Sequence, residues 1–419
     1  MLTRLRLARQ EFPSQFWLLF WGVLISTFGG SMIWPFLMIY VSSKLALPLM
    51  TVASLLTFNS IMGLVFSFIA GPVIDRFGRK WVMVISLVVN GIGNVFMSQA
   101  HTLPAFAILM GLSGAFNPLL RVGADAMMAD LIPPEKRPDA YSVLRMGNNV
   151  GVALGPAIGG FVAAASYTGA FLIAATGMLV YGLMIAFFAH ETLPARSNAA
   201  GQTIESRPER FAGYGRIFRD SRFMSFVMGF TLNQVTASIM WVMLSVYSKT
   251  NFGLSERVYG LIPTTNALMV VFLQIYVTQV TKRRPPLLVL ASGALFYAVG
   301  LASVSLGRGF WGFWGSMVVM TIGELIIVPT ATTYAANLAP SDMRGRYMSL
   351  YGLSQGVAQG IGPILAGFLN DNVSPVSIWY GAGVVGLCAV TTFLVIARIF
   401  PHTGEIKPAS VTTSQANGD

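Results

Sequence analysis

The sequence predicts an all-α membrane protein in which twelve transmembrane helices form two pseudo-symmetric six-helix halves. Three observations carry this. The chain has 419 residues, 54% of them apolar and only 10% charged, whereas an ordinary soluble domain carries about 25% charged residues. The few charges are spaced so that long uncharged stretches lie between them. Finally, a pattern of residues in the first half recurs in the second at one fixed offset.

The elements follow from the charge spacing, because a bilayer core of about 30 Å takes roughly 20 apolar residues per helix. Residues 12 to 43, 45 to 74, 223 to 248, 258 to 281, 285 to 307, 347 to 370 and 372 to 397 contain no Asp, Glu, Lys or Arg, and each accommodates one span. The interval 81 to 120 holds the third span and most of the fourth, with a turn near Ala100-His101-Thr102-Leu103-Pro104. The interval 146 to 190 holds most of the fifth and the sixth, turning near Ser166-Tyr167-Thr168-Gly169. The tenth covers about 312 to 338, interrupted only by Glu324. The first apolar run is too long for a cleavable signal peptide and reads as a helix.

The net charge of +11 is a matter of topology. With loops assigned alternately, 21 basic residues fall on one side, 4 on the other, and Arg121 and Arg145 inside helices. Cytoplasmic loops collect Lys and Arg, so both termini are expected in the cytoplasm and the chain in the inner (plasma) membrane. Nucleic acid is not an expected partner; membrane lipids are. The single cysteine, Cys388, allows no internal disulfide, and His101, His190 and His402 are scattered. No metal site, cofactor or enzyme chemistry is expected, and with no Gly-Lys pair there is no phosphate-cradling loop.

The repeat has an offset of 207 residues. Ser31, Trp34, Leu37 and Tyr40 correspond to Ser238, Trp241, Leu244 and Tyr247, and Gly155, Pro156, Gly160 and Phe161 to Gly362, Pro363, Gly367 and Phe368. Six spans separate the copies, an even number, so the halves share one orientation about an axis along the membrane normal. The expected organisation is a first half over 1–190, a cytoplasmic linker over 191–222, a second half over 223–400 and a tail over 401–419. The linker includes Ser197-Asn198-Ala199-Ala200-Gly201-Gln202, and Tyr214 to Arg219 reads as a short interfacial helix.

Gly71-Pro72-Val73-Ile74-Asp75-Arg76-Phe77-Gly78-Arg79-Lys80 resembles the signature between helices two and three of the major facilitator superfamily. Gly71 and Gly78 are expected to let the chain turn tightly there. The resemblance implies a latch of Asp75, Arg76, Arg79 and Asp130 that closes the cytoplasmic side; its counterpart, Thr278 to Arg284, has Lys282 opposite Asp75 and no glycine, so the latch is one-sided. Gly147, Gly151, Gly155-Pro156 and Gly159-Gly160 resemble the family's antiporter signature, which favours export. Small residues four apart allow close helix packing, and Pro156 is expected to let the helix bend. Over 16 to 400 the chain looks like the twelve-helix drug:proton antiporter branch, to which Trp34-Pro35 and Gly323-Glu324 followed by Pro329 are also similar. It departs from that branch at Met110, where the family places an arginine four residues before the glycine at Gly114.

Charges in hydrocarbon cost roughly 2.5 to 3.5 kcal/mol each, so those inside helices are expected to work. Arg121 and Asp125 share a helix face, and Asp125 and Arg145 lie at similar depth and can pair, either as a static polar network or in coupling. Glu324 has no basic candidate at its depth and is the leading proton site; desolvation penalises a charged carboxylate, which suits a group that binds and releases a proton. Trp34, Tyr40, Asn59, Asn117, Asn233, Gln234, Trp241, Tyr247, Tyr351 and Gln355, with Glu324, are the candidates to line a substrate cavity. Aromatic faces attract organic cations, and 22 Met residues pack adaptably. The expected activity is export of lipophilic or cationic small molecules in exchange for protons by a monomer. The rival expectation is a transporter of the same fold for a specific metabolite, sugar or lipid.

Overall fold

The computed structural model describes residues 12–193, 214–340 and 343–400. Most of the linker, with its Ser197 to Gln202 stretch, and the tail after 400 lie outside the described residues. Those described form helices and no strand.

The first half contains α1 (Ser14–Leu45), α2 (Leu49–Phe77), α3 (Arg79–Met97), α4 (Leu103–Leu131), α5 (Arg137–Ala165) and α6 (Tyr167–Phe188). A short helix, Tyr214–Arg219, precedes the second half. That half contains α7 (Ser221–Phe252), α8 (Leu261–Thr281, preceded by the turn Glu256–Tyr259), α9 (Pro286–Val304), α10 (Gly309–Leu338), α11 (Arg344–Asn372) and α12 (Ser377–Ile399). Eleven of the twelve are long and apolar enough to cross a membrane; α11, with 29 residues, is the more polar exception. Hydrocarbon offers no partner for backbone N–H and C=O groups, so the chain satisfies them within helices. Side chains such as Phe68, Phe187, Phe272 and Ile275 are exposed around the bundle, as lipid contact requires.

The halves pack alike. In the first, α1 lies on α5 and α6, α2 on α4, and α3 on α4 and α6; in the second, α7 lies on α11 and α12, α8 on α10, and α9 on α10 and α12. The offset of 207 holds at the level of single contacts. Ser31 on α1 faces Gly155 on α5, and Ser238 on α7 faces Gly362 on α11, each glycine leaving no room for a β-carbon.

Between the halves, α2 crosses α11, α5 crosses α8, and α1 meets α7. The two long crossings are symmetry equivalents as well: Gly160 abuts the backbone of Glu256, and Gly367 abuts Leu49 and Met50. Both lie toward the face opposite the basic α2–α3 and α4–α5 connections.

The α2–α3 connection differs from expectation in one respect. Gly71 and Pro72 sit inside α2, which runs on to Phe77, so Gly71 makes no turn. The reversal falls on Gly78 alone, at φ +90°, a conformation that strains any residue with a β-carbon. Helix α5 likewise continues through Pro156 to Ala165.

Candidate functional site

Around Gly78 the structure assembles a polar hub. Arg79 is buried, with its Nε 3.0 Å from Asp130 Oδ2 on α4 and an Nη 3.8 Å from Asp75 on α2. Its buried Nε and Nη1 have no hydrogen-bond partner, so the Nε contact with Asp130 is an attraction of charge rather than a hydrogen bond. The sequence did not point to Glu191, just beyond α6, which completes the hub. Its carboxylate accepts from the backbone N–H groups of Arg79 (3.0 Å), Lys80 (3.1 Å), Thr192 (2.9 Å) and Leu193 (3.0 Å). Burial pushes its pKa up, but these four donors outweigh it and hold the carboxyl below its usual range. The negative charge also sits at the positive end of α3. Thr192 donates to Asp130 at 2.9 Å, and Gln15 holds the backbone of His190 through both its amide atoms. The latch residues are thereby tied to the first turn of α1 and the start of the linker; Arg76 is exposed beside Phe77.

On α5 the glycine stripe meets α1. Gly147 faces Phe20, Gly151 faces Leu24 and Phe28, and Gly155 and Gly159 face Ser31 and Met32; Gly160 alone reaches the other half. Close backbone approach is what small residues at this spacing provide.

Asn117, Arg121 and Asp125 occur four apart on α4 and are all exposed, as are Tyr141 and Arg145 on α5. Asn117 donates to Ser113 at 3.2 Å. Arg121 and Tyr141 lie close enough to Asp125 to interact with its charge, yet no ion pair joins Asp125 to Arg121 or Arg145 among the described residues.

Glu324 sits in the middle of α10, away from any Lys, Arg or His within ion-pair distance among the described residues. It accepts a 2.7 Å hydrogen bond from the side-chain amide of Asn266 on α8, which also donates to Thr321 Oγ1 at 2.9 Å. Neither Asn266 nor Thr321 was singled out from sequence. The usable signal was the repeat, since Asn266 is the equivalent of Asn59, whose amide donates to the Met110 carbonyl at 2.7 Å across α2 and α4.

The remaining candidates are dispersed. Tyr40 is buried, with its hydroxyl on the Ser98 carbonyl at 2.8 Å, and Tyr247 is buried against Trp379 and Phe313. Trp34 is exposed, Trp241 and Gln234 are half-buried, and Gln355 is exposed. Asn233 is fully buried, and neither polar atom of its side chain has a partner. Tyr351 packs at a tilt against Phe230, stacks on Phe226 and shares a 3.2 Å hydrogen bond with Thr332 on α10. Between α2 and α11 lies an apolar cavity of about 570 Å³ lined by Thr57, Ser60, Leu64, Gly356, Gly360 and Ile364.

Two carboxylates guard the crossings between the halves. Asp371, at the end of α11, accepts from the first N–H groups of α2, Leu49 at 3.2 Å and Met50 at 2.8 Å. Glu256, opening the turn before α8, binds Lys249 of its own half and the Tyr167 hydroxyl of the other.

Comparison with known proteins agrees with this architecture. The family model described as Major Facilitator Superfamily matches residues 19–361 and 235–415. The chain is 26% identical over 399 residues to a Na(+), Li(+), K(+)/H(+) antiporter of Planococcus maritimus, covering 88% of this chain and 92% of that one. It is 27% identical over 336 residues to multidrug resistance protein MdtH of Citrobacter koseri, covering 79% and 81%. Its fold superposes on the nucleoside transporter NupG with a TM-score of 0.78 at 12% identity, covering 91% of this chain and all of the other. The chain therefore belongs to the major facilitator superfamily and is an integral, multi-pass membrane transporter.

Proposed function

We propose that the protein is a proton-coupled antiporter that exports lipophilic organic cations across the inner membrane by alternating access, with its basic face in the cytoplasm. The observation that carries this reading is Glu324, a membrane-embedded carboxyl group with a neutral amide as its partner. A carboxylate neutralised by no basic residue is expensive in hydrocarbon, and a bound proton or a bound cation removes that cost. Exchange of one for the other couples two fluxes. The apolar cavity between α2 and α11 accommodates the lipophilic part of a substrate, and the exposed polar stripe of α4 gives it a hydrated path. Relatives named as a cation/proton antiporter and a multidrug resistance protein support exchange and export.

The test is reconstitution into liposomes with an imposed pH gradient and ethidium as substrate. Wild-type protein moves ethidium in response to the gradient, and Glu324→Gln inserts normally but does not. Undiminished gradient-driven transport by the variant overturns the assignment of the proton site. A wild-type protein inert toward every organic cation moves the reading to a specific metabolite or lipid.

A further inference from the structure

We propose that Arg121 on α4 and Arg145 on α5 form a binding site for the carboxylate group of an organic monoanion. The site lies in the first half, apart from Glu324, and goes beyond the cation-export reading.

Its position follows from one contact and the geometry of a helix. Arg137, the first residue of α5, donates from Nη2 to the carbonyl of Ala129 on α4 at 2.8 Å, which sets the two antiparallel helices side by side at their basic end. One turn further in on both, Asp125 and Tyr141 lie close enough for the carboxylate charge to act on the phenol. One turn beyond stand Arg121 and Arg145, so the same register brings the two guanidinium groups to one level, about 12 Å from Arg137 along the axis at 1.5 Å per residue. Residues four apart share a helix face, and all four of these are exposed. Helix α4 turns Gly114 and Gly123 to α2 and α3, and α5 turns Gly147 and Gly151 to α1, so the charged stripes occupy other sides of their helices. The cost of charge in hydrocarbon excludes lipid as their surroundings. Because the crossings at Gly160 and Gly367 close the opposite face, the stripes line a water-filled opening on the basic side.

The charges there do not cancel. Asp125 acts on Arg121 without forming an ion pair, and Arg145 makes no hydrogen bond, ion pair or ring contact among the described residues. Two guanidinium groups and one carboxylate leave one positive charge, which a monoanion neutralises. A free guanidinium presents a planar fork of N–H donors that matches the two oxygens of a carboxylate.

The repeat separates ligand from fold. Val328 and Gly352 stand where Arg121 and Arg145 do, and Thr332 stands in place of Asp125. There α10 and α11 are joined by the neutral 3.2 Å hydrogen bond between Thr332 and Tyr351. The same helix pair is therefore built without charge, and two like charges at one level oppose packing rather than serve it. At equal depth the second half presents Val328 and the ring of Tyr351, surfaces that suit an anion with an apolar or aromatic body.

The experiment titrates the purified full-length protein in a neutral detergent with 4-fluorobenzoate, and with 4-fluorobenzamide as its uncharged counterpart, and reads binding by 19F NMR. Wild-type protein is expected to bind the benzoate at least tenfold more tightly than the amide. Arg121→Gln and Arg145→Gln each weaken benzoate about tenfold, which corresponds to ~1.4 kcal/mol. The lysine variants, which keep the charge and lose the fork, fall between. Asp125→Asn removes the competing negative charge and tightens benzoate, a gain that misfolding cannot produce. Arg308→Gln, in the loop before α10, leaves the affinity unchanged and controls for bulk charge. Equal binding of benzoate and amide, no binding of benzoate, or full affinity in both arginine-to-glutamine variants overturns the site. So does a loss in Arg308→Gln as large as in those variants, or weaker binding in Asp125→Asn.

Discussion

Asp371 at the end of α11 caps the first turn of α2, accepting from Met50 N at 2.8 Å and from Leu49 N at 3.2 Å. The bond joins the two halves, so it exists only while the face opposite the basic loops is closed. An anion at a helix N-terminus contributes typically 0.3–1 kcal/mol, enough to bias two conformers of similar energy. Asp371→Asn is expected to open this face, and Glu256→Gln to do the same at the α5–α8 crossing. Spin labels at Leu47 and Val373, in a Cys388→Ser background, report the opening as a longer distance distribution. Unchanged distributions in both variants refute the role.

The paired contacts Ser31–Gly155 and Ser238–Gly362 predict paired sensitivities. Gly155→Val and Gly362→Val each force a side chain into a facing helix, at an overpacking cost of typically 1–3 kcal/mol. Gly71→Ala, with nothing within 4 Å of the added carbon, is the stability control. Thermal unfolding in detergent measures all three. A stripe that matters only for transport would leave the valine variants as stable as the control.

Gly78→Ala combines two faults, a β-carbon at φ +90° and an overlap with the Glu191 carboxylate. It is expected to cost about 1 kcal/mol or more and to detach Glu191 from the α3 N-terminus. Proteolysis within the linker reports the detachment, and cleavage at the wild-type rate counts against it.

Glu191 gives a pH dependence of defined sign. Its carboxyl is held below the ordinary value of 4.5, burial acting upward and four backbone donors acting downward more strongly. The contribution is therefore fully present above about pH 4.5 and is lost as pH falls through the depressed value. Wild-type protein should exceed Glu191→Gln in thermal stability by a constant margin from pH 8 to about pH 5, and the margin should close on further acidification. A margin that persists under acid shows that the carboxylate is not the cause.

The twelve spans and their repeat were legible because hydrocarbon excludes charge: each helix is bounded by the residues that cannot enter it. Gly78 and Gly71 looked alike in the motif, yet one takes the positive φ and the other continues a helix, since glycine permits both conformations and requires neither. Glu324 was visible as a lone charge in an apolar run. Its partner was not, because an asparagine inside a helix carries no local mark of what it faces.

The sequence by itself determined the number of helices, their twofold repetition, the asymmetry of basic residues and the position of Glu324, all of which follow from where charge is tolerated. Only the tertiary structure decided that Asn266 and Thr321 meet Glu324, that Glu191 caps a helix 112 positions away, and that Asp371 and Glu256 tie the halves together. Those contacts span helices packed side by side, and which side chains face one another depends on helix rotation and on the crossing of α2 with α11 and α5 with α8. Periodicity along one segment carries no information about either.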